Sequence, residues 1–263
     1  MNRIVLITGT SSGIGNVTAK LFKEKGDVVY GLSRRVVGED FNEISCDITS
    51  KEDVQRVVDE IIKKEGRINV LVNNAGMGIS GPVETTRTED AKKLFDVNFF
   101  GTLNVINCVL PYMREARGGR IINISSVASP IPIPFQAFYS ASKAAIDSLT
   151  FALRAEVADF GVKVSSVLPG DTKTGFTSNR EKQDVDSSGE YSEKMQRSVS
   201  QMEKDEQNGM DAKSVAKLVY KVSKKKNPPV HATVGFQYKL FVFLTKLLPK
   251  RLVNRIIKGM YAK

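Results

Sequence analysis

A chain of 263 residues, 41% apolar and 26% charged, is long enough for one large domain that buries roughly 70–75% of its unfolded surface, and neither disorder nor a coiled coil suits the composition. Two cysteines, Cys46 and Cys108, and the lone His231 are too few for a disulfide framework or a metal site and point to a reducing, cytoplasmic compartment. Of the net charge of +10, +7 falls on 236–263, where Lys239, Lys246, Lys250, Arg251, Arg255, Lys258 and Lys263 meet no acid; this favours an anionic partner, a phosphate-bearing ligand or a membrane surface, over nucleic acid, whose zinc-finger and aromatic-basic motifs are missing.

No apolar run approaches the roughly 18 residues of a membrane span, and the opening MNRIVLITG lacks a signal-peptide pattern. Arg3–Thr8 is instead an unalternating apolar run closed by Gly9, as in a strand buried on both faces of a parallel sheet. Ile14, Val17, Leu21 and Phe22 then recur at helical spacing up to Gly26, a left-handed cap. Val28–Leu32 and Glu43–Cys46 read as strands. Ser50 and Asp53, at capping-box spacing, open a helix whose Val54, Val57, Val58, Ile61 and Ile62 share a face before Gly66. Val70–Val72 is the next strand, followed by a helix from about Glu89 to Met113, a strand at Arg120–Ile124, a helix around Tyr139–Phe160 and a strand at Lys163–Leu168. This alternation predicts an α/β fold: a Rossmann-like, doubly wound, mainly parallel sheet with helices on both faces, in one domain over 1–263.

Asp171–Gly209 is polar and without strand signal, and 175–209 is expected to form a mobile lid over the substrate. A helix near Ala212–Ser223 and a strand at Val230–Val234 follow. In the extension 236–263, Phe236, Leu240, Phe243, Leu247 and Leu248, and after Pro249 Leu252, Val253, Ile256, Ile257 and Met260, recur at helical spacing among basic residues. Such helices lie on an anionic bilayer as peripheral anchors, cap a pocket or pack on the domain.

The chemistry concentrates at strand ends. Thr8–Gly15 reads TGTSSGIG, with Gly9, Gly13 and Gly15 spaced GxxxGxG at a strand–helix junction. Glycines there permit a tight turn, and the backbone N–H groups of Ser11, Ser12, Gly13 and Ile14 can approach a pyrophosphate at the positive end of the helix dipole. At the end of the second strand, where an acid would bind a ribose diol, stand Ser33, Arg34 and Arg35. Two arginines suit a ribose 2′-phosphate, so NADP(H) is expected over NAD(H). Tyr139 and Lys143 lie one helical turn apart, and an ammonium there would draw the phenol toward the working pH. Ser126, just past the strand end at Ile121–Ser125, is placed to hold a carbonyl oxygen for protonation by Tyr139.

With Cys46-Asp47-Ile48, Asn73-Asn74-Ala75-Gly76, Val97-Asn98-Phe99-Phe100-Gly101 and Pro169-Gly170 followed by Thr174, these motifs resemble, in order and nearly to Gly235, the single-domain short-chain dehydrogenase/reductases. The resemblance implies that Ser126, Tyr139 and Lys143 are catalytic and that Asn98 holds a water in a proton relay through Lys143. It also implies that Lys143 bonds the nicotinamide ribose, Asp47 beside Ile48 the adenine, and Asn74 with Ala75 and Gly76 the adenosine ribose. Thr174, after Pro169 and Gly170, would take the carboxamide; the run Asp171-Thr172-Lys173-Thr174 departs from the family pattern and leaves Thr172 as a second candidate. Relatives commonly pair through their fourth and fifth helices as dimers or tetramers.

Val127–Phe138, with Pro130, Ile131, Pro132, Ile133, Pro134, Phe135 and Phe138, is an apolar wall for the substrate. The chain therefore reads as an NADP(H)-dependent carbonyl reductase or alcohol dehydrogenase acting on a lipophilic ketone, aldehyde or alcohol. Its texture is nearest the hydroxysteroid and retinol enzymes. A ketoacyl thioester reductase is the alternative within the enzymes. A non-catalytic NADP(H)-binding regulator is disfavoured by the presence of both Tyr139 and Lys143.

Overall fold

The computed structural model describes residues 2–182 and 189–262. The chain runs β1 (Ile4–Thr8), α1 (Gly13–Glu24), β2 (Val28–Ser33), β3 (Asn42–Ser45), α2 (Lys51–Glu65), β4 (Val70–Asn73) and β5 (Ile79–Ser80). Next come α3 (Thr88–Phe95), a π-helical turn (Asp96–Gly101), α4 (Thr102–Glu115), β6 (Gly119–Ile124), α5 (Ala137–Glu156), a 3-10 turn (Ala158–Phe160) and β7 (Val162–Leu168). The last part holds β8 (Thr172–Lys173), β9 (Glu181–Lys182), α6 (Ser192–Gln207), β10 (Met210–Asp211), α7 (Ala212–Lys224), β11 (His231–Thr233), α8 (Phe236–Leu247) and α9 (Lys250–Tyr261).

Seven strands form one sheet in the order β11-β7-β6-β4-β1-β2-β3, every pair parallel. The pleat sends alternate side chains to opposite faces. Ile4 and Leu6 of β1 join Leu71, Val57, Val109 and Ile121 in one core, beneath α2, α4 and α5. Val5 and Ile7 join Val72, Ile122, Phe22 and Val219 in the other, beneath α1 and α7. Burial on both faces is why β1 and β4 read as continuous apolar runs.

Helix ends follow the sequence signals closely. The Ser50 hydroxyl accepts from the Asp53 N–H and Gly66 closes α2 at φ +73°, whereas the Asp53 carboxylate turns away from the expected box to accept from the Asp47 N–H. Gly26, at φ +85°, closes the turn after α1.

The segment expected to lack strands forms two short parallel pairs, β5 with β9 and β8 with β10. Two residues are too few for a periodic signal; their pairing is imposed by neighbours distant in sequence. The part of the expected lid at 183–188 lies outside the described residues. Thr88–Glu115 is a continuous helical stretch of 28 residues, apolar and long enough to cross a membrane by composition, but Leu94, Val105, Ile106, Val109 and Met113 bury it within the fold as a core helix.

Candidate active site

β1 pairs with β2 on one side and β4 on the other, so strand order reverses between β1 and β4, and the crevice beyond their C-terminal ends is where open α/β sheets bind ligands. A cavity of about 1010 Å³ opens there.

Its first wall is the glycine turn. Gly9 has φ +72°, and a side chain there would strike the Ala75 backbone. Gly15 does not line the cavity: it packs so closely on the Gly9 carbonyl that no Cβ fits, and its role is helix packing. Ser12 is the N-cap of α1 and makes no side-chain cap bond, leaving the first N–H groups of the helix to an anion. Gly9, Ser11, Ser12, Gly13 and Ile14 line this wall, and Ser33, Arg34 and Arg35 stand at its rim. Both arginines are exposed, and neither pairs with a carboxylate among the described residues. The uncapped α1 N-terminus and the exposed arginines fit the phosphates of a nicotinamide dinucleotide.

The second wall carries Asp47 and Ile48, then Asn74, Ala75 and Gly76. One Asp47 oxygen accepts from the Thr49 N–H and hydroxyl. The Asn74 amide nitrogen donates to the carbonyls of Thr8 at 3.0 Å and Gly9 at 3.2 Å, while the Thr8 hydroxyl accepts from the N–H groups of Asn74 and Ala75. Asn74 thus clamps the glycine turn to the end of β4. The role of Thr8 was invisible in sequence because a strand-end hydroxyl carries no motif of its own.

Ser126, Tyr139 and Lys143 meet at the far end of the cavity. The Ser126 hydroxyl accepts from the Ala128 N–H at 3.1 Å and lies beside the Tyr139 phenol. Lys143 Nζ, nearly buried, donates to the Ile124 carbonyl at 2.9 Å and stands 5.8 Å from the Tyr139 ring centre. Burial pushes the Tyr139 phenol up to about 12, opposed by the Ser126 hydroxyl. Burial also draws the Lys143 ammonium down to about 8, with Asp147 opposing. Lys143 Nζ points to the Ile124 carbonyl, and burial is the larger influence on the phenol. The protein's own groups keep Tyr139 protonated, the state required of a proton donor.

Asn98 does not face the cavity. It sits in the π-turn, nearly fully buried; its amide oxygen accepts from the Met77 N–H at 2.8 Å, and its nitrogen donates to the Met77 carbonyl at 3.0 Å and the Ser142 hydroxyl at 3.1 Å. With both polar atoms engaged, the side chain ties the Met77 loop to α5.

Pro169, Gly170, Thr172 and Thr174 all border the cavity. The Thr172 hydroxyl is turned onto the Gly170 carbonyl, whereas Thr174 lies opposite Gly13 and its hydroxyl accepts from the Phe176 N–H. The substrate end is closed by Ile133, Phe176, Met202 and Glu206. Phe176 stacks at a tilt on Tyr139, ring centres 5.6 Å apart. Behind it a cluster missed in sequence joins Arg180, fully buried, in an ion pair with Glu206, which also accepts from the Thr177 hydroxyl at 2.6 Å. Gln136, the N-cap of α5, faces the Arg180 guanidinium. Scattered polar residues on three elements leave no spacing signal.

The short chain dehydrogenase family model matches residues 3–185. This chain belongs to that family. A 3-ketodihydrosphingosine reductase of Bacteroides thetaiotaomicron is 41% identical over 99% of this chain and 98% of its own. Among solved family structures, a short-chain dehydrogenase from Streptomyces avermitilis superposes with TM-score 0.84 at 30% identity over 94% of each chain. One from Burkholderia cenocepacia, in complex with NADP, gives 0.77 at 26% identity over 97% of each. The family's members are oxidoreductases that bind nicotinamide cofactors.

Proposed function

We propose that this chain is an NADP(H)-dependent reductase that converts a keto group on a long-chain, lipophilic molecule into a secondary alcohol. The observation that carries this reading is the meeting of Ser126, Tyr139 and Lys143 at a cavity end walled by Ile133, Phe176 and Met202. Ser126 orients the carbonyl oxygen and Tyr139 delivers the proton to it. Lys143 places a cation beneath the site, held by the Ile124 carbonyl. When bound, NADPH supplies the hydride, held by the α1 N-terminus and by Arg34 and Arg35; the NADP-bound relative supports that choice. Asp47, Ile48 and the Asn74–Gly76 turn face the adenosine half, and Thr174 with Thr172 the carboxamide.

Of the readings the residues left open, reduction of a keto group on an acyl-type chain accords better with the name of the Bacteroides thetaiotaomicron relative than general alcohol–aldehyde interconversion does. Phe176 and Met202, from the described parts of the expected lid, face the cavity and would close over the substrate. Phe151 on α5 and Phe100 beside α4 are half or more exposed, which supports pairing of copies through those helices. The buried free thiols Cys46 and Cys108 accord with a cytoplasmic, reducing location.

The test is NADPH consumption over long-chain 3-keto lipids, ketoacyl thioesters and simple aldehydes. Long-chain ketones are expected to be preferred, and Tyr139→Phe to lower kcat by about 10²- to 10⁴-fold while NADPH binding persists. Full turnover by that variant would remove the catalytic assignment.

A further inference from the structure

On α8, Phe236, Leu240, Phe243 and Leu247 fall at i, i+4, i+7 and i+11, one stripe of the helix; on α9, Leu252, Ile256 and Met260 fall at i, i+4 and i+8. All seven are between 43% and 82% exposed. Scattered exposed apolar residues need no explanation, but two aligned stripes on adjacent helices do. Around them stand Lys239, Lys246, Lys250, Arg251, Arg255 and Lys258, all exposed and none paired with a carboxylate among the described residues. The segment contains no acid to neutralise them.

The inner sides of the same helices pack behind the cavity walls. The Tyr238 hydroxyl donates to the Asp171 carboxylate at 2.7 Å and accepts from the Asp171 N–H, with its ring against Gly170. Tyr261 packs on Met195, Val199 and Met202 of α6 beside Ile133, and its hydroxyl donates to Asp205 at 3.3 Å. Asp171, Gly170, Met202 and Ile133 all line the cavity.

We propose that α8 and α9 dock the protein on an anionic phospholipid bilayer, so that a lipid ketone reaches the cavity from the membrane past walls these helices buttress. The loading step rests on the lipid-reductase reading above; the docking does not. Charge decides the occupant. A second copy of the chain would set six cations against six, whereas an anionic leaflet neutralises them, each cation near it strengthening binding about fivefold.

The test is co-sedimentation of the full chain with vesicles of phosphatidylcholine alone or mixed equally with phosphatidylglycerol. Binding to the mixed vesicles is expected to exceed binding to the neutral ones about tenfold or more, and to weaken as salt rises from about 0.1 M to about 1 M, where the Debye length shrinks to about 3 Å. F243D/I256D, at exposed positions, is expected to lower binding about tenfold or more while thermal melting and NADPH binding stay unchanged. Wild-type indifference to phosphatidylglycerol, or undiminished binding by F243D/I256D, overturns the proposal. So does a wild-type dimer that this variant dissociates, which would show that a second copy covers the stripe. For loading, F243D/I256D should slow reduction of a long-chain ketone held in mixed vesicles but not of a short soluble ketone; equal rates on the embedded ketone overturn loading. If wild type reduces neither, the activity reading fails while sedimentation still decides the docking.

Discussion

Lys143 is the residue at which charge, burial and chemistry conflict most directly. Its ammonium is held at about 8 against an unfolded value of 10.5, chiefly by burial. In the free enzyme, kcat/KM for reduction is therefore expected to fall as pH rises past about 8, where the cation beneath the site is lost; a pH–rate profile flat to pH 10 would exclude a need for that charge. The same shift has a stability consequence of definite sign. Because the folded value is the lower one, the buried ammonium destabilises at neutral pH, and stability rises as pH climbs from about 8 to about 10.5. Lys143→Met should remove that rise in urea-melting midpoints. Arg34 and Arg35 face the opposite situation, exposed and without carboxylate partners. Replacing both by Ala is expected to weaken NADPH binding about ten- to a hundredfold and leave NADH binding nearly unchanged, as titration of cofactor fluorescence would show.

At the scale of elements, the π-turn at Asp96–Gly101 interrupts one long helix and aims Asn98 at the Met77 backbone. Such bulges cluster at functional sites because the displaced turn re-aims a side chain. Asn98→Ala leaves a buried N–H and carbonyl of Met77 without these partners, an expected cost of about 1–3 kcal/mol, seen as a melting temperature lower by about 2–4 °C per kcal/mol. The VNFFG motif marked the position; only the fold revealed that the amide braces the Met77 loop. The Arg180–Glu206 pair ties the Phe176 segment to α6 in the same hidden way. Arg180→Met strands a largely buried carboxylate and should destabilise by about 3–5 kcal/mol, and Arg180→Met with Glu206→Leu should recover much of it. A double variant no better than the single would refute this account of the cluster.

For the molecule as a whole, the two cores meet at the sheet and the cavity sits where strand order reverses. A dinucleotide bound across that crevice links the glycine turn, the β4 loop and α5, so binding should stabilise the entire fold. At NADPH a hundredfold above its dissociation constant the gain is about 2.7 kcal/mol, a melting shift of several degrees; an equal shift with NADH at the same concentration would count against the arginine clamp.

The sequence alone determined the alternation of strands and helices, the glycine turn, the ends of α2 and the meeting of Ser126, Tyr139 and Lys143, because each follows from a short-range period, a capping rule or a motif set at strand ends. It could not determine the two-residue strands β5 and β8–β10, the direction in which Lys143 points, the inward turn of Asn98, or the joining of Arg180, Glu206 and Gln136. Those depend on groups far apart along the chain, and on how completely water is removed around them, which is settled only when the layers pack. Tertiary packing likewise divided α8 and α9 into a face that backs the cavity walls and a face left bare.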